Sequence, residues 1–488
     1  MHRKINPALI TPLLLLLALA LHGCATNPVT GKQDFVLMSE DEEVSLGQKY
    51  HQQITLEMPV YDDSALHSYV NEVGQRIAKA SHRPGLTFRF TVIDSDTVNA
   101  FALPGGYIYI TRGILAYLNS EAELAAVLGH EVGHVTARHS VRQHSATTAT
   151  SVAGAILGAT TGISASQDLF NVFGKAMLSG YGREHELESD RLGAQYLART
   201  GYDPQAMIEV IGVLKNQELF ERERARAEGR EARAYHGVFA SHPENDRRLQ
   251  EVVGEAEALK TATRPRVGRE IFLDHLDGLA FGASENDGMV VDNRFYHKPL
   301  DFRLDFATSW TLSNRPDRLV ATAPDQAAIM EIRVAERPPG VTPRQFMQQQ
   351  GVKKPLRGET LKLKGFDSYA AVSPLKTGFG QRNARFIVLF DKHHAYMFTG
   401  VTRSADQQKL FDGQFKDVAR SFQRLSAEEK KLATGLKVRL TKATAKTRFA
   451  ALAAKSPIRK YADAELRLLN DMYPSGEPSA GQTLKVVR

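Results

Sequence analysis

Apolar side chains recur along the first part of the chain at two different periods, and the switch between them marks out elements. Leu66, Tyr69, Val70, Val73, Ile77 and Ala78 fall at helical spacing. Upstream, Ser39 is followed by Glu40, Asp41, Glu42 and Glu43, acidic groups suited to a first helical turn at the positive end of the helix dipole. Two helices are therefore expected before the first sheet. Residues 88–93 alternate, residues 107–110 are β-rich, and Leu103-Pro104-Gly105-Gly106 punctuates the interval. Ser120 to Glu123 reads as a capping box, and Leu124, Val127, Leu128, Val132 and Val135 continue it as a helix.

Residues 146–165 are rich in Ala, Thr, Gly and Ser and read as a close-packed helix or a flexible flap, too polar to span a bilayer. Residues 220–233, dominated by Glu and Arg, read as a solvated helix. A polar run at residues 260–266 marks a boundary. Beyond it, strand-like patches at 330–334, 385–390 and 395–398 and a helix over 406–422 predict an α+β domain. No internal repeat of fixed period is visible, which argues against TPR arrays.

The 488 residues, 42% hydrophobic and 24% charged, exclude a disordered chain and allow two to four cores at roughly 100–200 residues each. The net charge of +7 is concentrated: residues 437–488 hold eleven Lys and Arg against four Asp and Glu, so the rest is formally neutral. General nucleic-acid binding is not indicated. A single Cys excludes an intrachain disulfide and any Cys-rich metal site, so a bound metal must use His and carboxylate. The start, Met1-His2-Arg3-Lys4 followed by an apolar run to Leu21, reads as a secretory leader. Leu21-His22-Gly23-Cys24 resembles a bacterial lipobox with His22 in an unusual place. That resemblance implies cleavage after residue 23 and diacylation of Cys24, against a soluble secreted protein with an unmodified thiol. Ala25, rather than Asp, favours the periplasmic face of the outer membrane in a Gram-negative host.

His130-Glu131-Val132-Gly133-His134 carries the chemistry. On a helix of about 3.6 residues per turn, positions four apart share a face, so both imidazoles can bind one ion. Glu131, beside the first, can take the proton of an activated water. Gly133 costs the helix ~1 kcal/mol relative to Ala, so something needs the space. A third protein ligand is required. The run from Arg183 to Asp190 offers Glu186 and Asp190, four apart on one face, one to ligate and one to accept a hydrogen bond from a ligand histidine. Glu184, His185 and Glu188 compete with Glu186.

His130–His134, the pattern R-x-x-E-x-E-x-D from Arg183 to Asp190, and Ser241-His242-Pro243 followed by Arg247 together resemble the zinc metallopeptidases that include the CaaX prenyl proteases, above all their periplasmic BepA-like and LoiP-like branch. Residues 27–31, 99–106 and 201–204 also match. The resemblance spans residues 24–253. It implies a mainly helical, gluzincin-type zincin domain with a small sheet, one Zn2+ per chain on His130, His134 and Glu186, and Asp190 as partner of a ligand histidine. Ser189 stands where the family usually has Ala. His242 is a candidate to stabilise the oxyanion or to fill the open metal position. His139, off the ligand face by helical arithmetic, and His144 are expected on the surface. The strand at 107–110 or its neighbour is a candidate to pair with an extended substrate. Residues 432–488 resemble a LysM βααβ module, which implies either attachment to peptidoglycan or a degenerate module kept for packing.

The expected organisation is a leader at 1–23, a protease domain at 24–265, an α+β domain at 266–425 and the basic module at 432–488. The expected activity is that of a lipid-anchored zinc endopeptidase of the periplasm that cleaves unfolded or misassembled envelope proteins. A chaperone-like or peptidoglycan-binding lipoprotein with a latent zinc site is the alternative.

Overall fold

The computed structural model describes residues 24–148, 181–232, 259 and 264–488, apart from 287, 316–317, 354 and 364. The leader at 1–23, most of the small-residue stretch and His242 lie outside the described residues. The chain forms two compact units, one running up to Phe281 and completed by Leu436–Arg488, the other formed by Gly282–Gly435.

The first unit begins with a hairpin of β1 (Cys24–Thr26) and β2 (Gln33–Phe35). Its turn is made by Asn27, whose Oδ1 accepts the amides of Val29 and Thr30 at 2.8 and 3.0 Å. Helix α1 (Glu40–Glu57) starts on a capping box between Ser39 and Glu42. Helix α2 (Ser64–Lys79) buries the six apolar residues whose spacing predicted it. Then β3 (Arg89–Ile93), β4 (Ala100–Leu103) and β5 (Tyr107–Thr111) make a sheet in the order β3-β5-β4, with β3 parallel and β4 antiparallel to β5. Gly106 has φ +90°, and a Cβ there would lie 2.6 Å from the Thr87 carbonyl, so only glycine closes this turn. Helices α3 (Arg112–Tyr117), α4 (Glu121–Thr136), α5 (Arg183–Arg199), α6 (Ala206–Ala227) and α7 (Arg269–Leu276) follow, then β6 (Ala280–Phe281). The Glu/Arg-rich stretch continues α6 and is not wholly solvated, because Phe220, Glu221 and Ala225 are buried.

In the second unit β7 (Met289–Val291), β8 (Arg294–His297) and β9 (Phe302–Asp305) form a small antiparallel sheet. The strands β10 (Thr311–Arg315), β11 (Arg318–Thr322), β12 (Ala328–Glu336), β13 (Arg357–Glu359), β14 (Asp367–Thr377), β15 (Gly380–Phe390) and β16 (His394–Thr402) form a larger one, in the order β10-β11-β12-β16-β15-β14-β13. Strand periodicity sends alternate residues of β15 to opposite faces. Phe386, Val388 and Phe390 pack with Phe346 of α8 (Pro343–Gln349), while Ile387 and Leu389 pack with Phe411 and Phe415 of α9 (Gln408–Arg420). Helix α10 (Ala427–Leu432) closes the unit. This is the α+β region the strand patches predict, with limits at 282 and 435 instead of 266 and 425.

The terminal segment runs β17 (Leu436–Lys442), α11 (Phe449–Ala453), α12 (Ala462–Leu469) and β18 (Thr483–Val487). β17 pairs antiparallel with β18 and with β6. The sequence offers a glycan-binding module or a degenerate one kept for packing, and the segment is built into the first unit. Every residue of β18 is buried, and Val438, Phe449, Leu466, Leu469 and Val487 share one apolar cluster with Leu124 and Val127 of α4. Among the described residues no helix is long and apolar enough to cross a membrane.

Candidate metal centre

Helix α4 is buried along its whole length. Two acidic side chains fix its start. Ser120 Oγ accepts the Glu123 amide at 3.1 Å, and the Glu123 carboxylate reaches one residue further back than a capping box would, accepting the Asn119 amide at 2.8 Å. Glu121 accepts from the hydroxyls of Tyr69 at 2.9 Å and Tyr202 at 2.5 Å and pairs with Arg76 and Arg266 at 3.1 and 2.8 Å. The Gly201-Tyr202-Asp203-Pro204 run thus acts through its tyrosine on the first residue of α4.

Helix α5 crosses α4 at glycines. A Cβ on Gly133 would stand 3.1 Å from both Cα and O of Ser189, and one on Gly129 would stand 3.4 Å from Cα of Gly193. The space Gly133 leaves is taken by the backbone of α5, which lets the side chains of the two helices converge.

His130, His134 and Glu186 each offer a ligand atom, and the three atoms lie within 4.8 Å of one another. Glu186 Oε2 is 3.5 Å from His130 Nε2, Glu186 Oε1 is 3.4 Å from His134 Nε2, and the two Nε2 atoms are 3.0 Å apart. All three side chains are buried. Two imidazoles and a carboxylate, with no thiol near, form a zinc donor set of borderline and hard ligands, and the arrangement fits that ion with a position left for water or substrate.

Asp190 Oδ1 lies 2.8 Å from His130 Nδ1. With that nitrogen donating its proton, Nε2 presents its lone pair to the centre. Burial disfavours a charged imidazole here, yet the Asp190 and Glu186 carboxylates outweigh it and raise His130 to about 9. Glu131 is buried and shares a small apolar pocket with His130, Ala100 of β4, and Met207 and Leu214 of α6.

The competing candidates in α5 are sorted by geometry. Glu184 is exposed beside Arg183. Glu188 accepts from His139 Nε2 at 3.0 Å and from Arg142 at 3.2 Å, and the His139 bond first, with the Arg142 guanidinium, holds it down at about 2. His185 stacks on His139 with ring centroids 4.2 Å apart. His139 itself is fully buried, contrary to the surface position expected of it, and its Nδ1 lies 2.9 Å from His134 Nδ1. Helical arithmetic fails because α4 stops at Thr136 and Arg138 adopts φ +55°, turning the chain back under the site. That turn is held by Glu43, which binds Arg138 Nε at 2.9 Å. His144 is half-buried. The sequence signal for His139 was present only as a third histidine near the pair. Its placement depended on where the helix ends.

Residues 64–256 match the family model described as Peptidase family M48. The beta-barrel assembly-enhancing protease of Yersinia pestis is 30% identical over 246 residues, 48% of this chain and 48% of that protein. Its namesake from Escherichia coli (strain K12) is 33% identical over 202 residues, 39% of this chain and 41% of that protein. The mitochondrial metalloendopeptidase OMA1 of Schizosaccharomyces pombe is 31% identical over 231 residues, 46% of this chain and 64% of that protein. The chain spans less than half the length of these two bacterial relatives.

Proposed function

We propose, from the M48 metallopeptidase domain carried by residues 64–256, that the chain is a zinc-dependent endopeptidase of the bacterial envelope acting on misassembled or damaged envelope proteins. The observation that carries the reading is the convergence of His130, His134 and Glu186 beside a buried Glu131. The names of the bacterial relatives support an envelope protease, and that of the yeast relative supports internal peptide-bond cleavage.

In this reading the two histidines offer Nε2 and Glu186 its carboxylate oxygens. Zinc, when bound, supplies Lewis-acid polarisation of the scissile carbonyl and lowers the pKa of water. Glu131 accepts a proton on its carboxylate from the attacking water and returns it to the leaving nitrogen. Strand β4, which among the described residues pairs only with β5, lies beside the Glu131 pocket and offers an open edge to an extended peptide. His242 is assigned a role near the metal, in restraint or at the oxyanion. Cys24 is assigned the lipid that tethers the chain to the outer membrane, and the terminal segment a contact with peptidoglycan.

Glu131→Gln should leave zinc bound at one ion per chain while cleavage of an unfolded substrate such as casein falls by at least about 10²-fold, the size of effect typical of a lost acid–base group. Undiminished cleavage by this variant would remove Glu131 from the chemistry, and a wild type that binds no zinc would end the proposal.

A further inference from the structure

His134, the second histidine of the pair, has a partner at Nδ1 that is not a carboxylate. His134 Nδ1 faces His139 Nδ1 at 2.9 Å, His139 Nε2 faces Glu188 Oε2 at 3.0 Å, and Arg142 Nη1 donates to the same Glu188 oxygen at 3.2 Å. Two ring nitrogens at that separation share one proton, which leaves two arrangements. If His139 kept the proton on Nδ1, its Nε2 lone pair would point at an ionised carboxylate, and His134 would carry its own proton on Nε2, toward Glu186. If His139 carries it on Nε2, that proton is donated to Glu188, the Nδ1 lone pair accepts from His134 Nδ1–H, and His134 Nε2 turns its lone pair to the centre. Only the second arrangement makes both contacts of His139 attractive while leaving the His134 Nε2 lone pair free for a cation held between it, His130 and Glu186.

We infer that His139 and Glu188 are positioning residues that fix the tautomer and ring plane of His134, giving this histidine through a two-step relay what Asp190 gives His130 directly. The inference rests on the zinc reading above. The pieces are held independently of the metal ligands. The left-handed turn at Arg138 brings His139 back beneath α4, and His185 stacks on one face of the His139 ring. Tyr181 stacks on His134 with centroids 4.0 Å apart, so that ring too has one plane available. Ser189 places Oγ 3.3 Å from His139 Nδ1. It is a second, longer contact to the nitrogen that the relay uses as acceptor.

Zinc affinity tests this, measured by competition with a chelator on the full-length chain. His139→Leu and Glu188→Ala should each weaken zinc by about 10–100-fold, the range for residues that orient a metal ligand. His139→Asn, whose carbonyl can take the Nδ1 position as acceptor, should recover most of it, which a loss of packing alone would not allow. The wild-type zinc protein, labelled with 15N in its histidines, should show His139 as the Nε2–H tautomer, a reading that needs no variant to fold. Observation of the Nδ1–H tautomer, or zinc affinity of His139→Leu within about twofold of wild type, would overturn the relay. So would a His139→Asn no tighter than His139→Leu. Wild type that binds zinc while the variants bind it equally well sinks the relay alone, whereas wild type without zinc sinks the endopeptidase reading with it.

Discussion

A histidine that binds a metal through Nε2 carries its proton on Nδ1, and Asp190 accepts the hydrogen bond that this N–H of His130 donates at 2.8 Å. Asp190 is fully buried, so removing it leaves the imidazole without an acceptor in a place water does not fill. Asp190→Ala should therefore weaken zinc by about 10–100-fold without abolishing binding, because the two imidazoles and Glu186 remain. Isothermal titration of the metal-free protein checks this, and an unchanged affinity would show that Asp190 serves only the packing of α5. At this scale most of the centre was legible in advance. The i, i+4 rule placed His130 and His134 together, and the resemblance named Glu186 and Asp190. Bare spacing could not separate Glu186 from Glu184 or Glu188, since what separates them is the direction each leaves α5, toward the histidines, solvent or His139.

Helices α4 and α5 meet along Gly129, Gly133, Ser189 and Gly193, and this close crossing brings Glu186 to the histidines. Gly133→Ala sets two effects against each other. Alanine gains ~1 kcal/mol of helix propensity. Its Cβ at 3.1 Å from Ser189 Cα and O meets helix backbone that cannot swing aside, and overpacking of that kind costs about 1–3 kcal/mol. The packing cost should win, so thermal unfolding should move down by a few degrees and zinc affinity should fall as Glu186 is pushed outward. A Gly133→Ala chain more stable than wild type with unchanged zinc affinity would show that α5 yields freely. The elements themselves were largely readable, because α2 and α4 carry caps and apolar residues at helical spacing and β5 is a run of β-forming residues. The hairpin β1–β2 was not, since three-residue strands have no period. The order of the larger sheet was not either, because pairing of β12 with β16 depends on a long return of the chain that local pattern does not encode.

At the scale of the whole molecule, the first unit is closed by residues more than 300 positions downstream of α4, and sequence order hides that. A βααβ pattern reads as free-standing until it is known which of its apolar faces is covered. The tie with most consequence is Lys485 of β18. Its buried Nζ donates to the Ala116 carbonyl at 2.7 Å and to that of Leu118, just ahead of α4, and it is attracted by Glu123 in the first turn of α4. Arg269 and Asp471 also act on Lys485, and Glu209 and Asp471 on Glu123. Burial is the first cause in both shifts, lowering Lys485 to about 7 and raising Glu123 to about 7. Between about 4.5 and 7 the folded chain keeps the Glu123 proton that the unfolded chain has released, so this residue's contribution to stability falls as pH rises. Between about 7 and 10.5 the unfolded chain keeps the Lys485 proton that the folded chain has released, so the contribution of Lys485 rises with pH. The pair should therefore give a stability minimum near pH 7. Lys485→Met alone removes the cation that lowers Glu123, so the cost of a stranded buried carboxylate, about 3–5 kcal/mol, should appear on the alkaline side where Glu123 then ionises. Adding Glu123→Gln should restore much of that loss and remove both slopes. Thermal unfolding of wild type and of the double variant from pH 5 to 10 checks this. Two parallel profiles, or a double variant no more stable than Lys485→Met, would show that Lys485 and Glu123 do not act on one another.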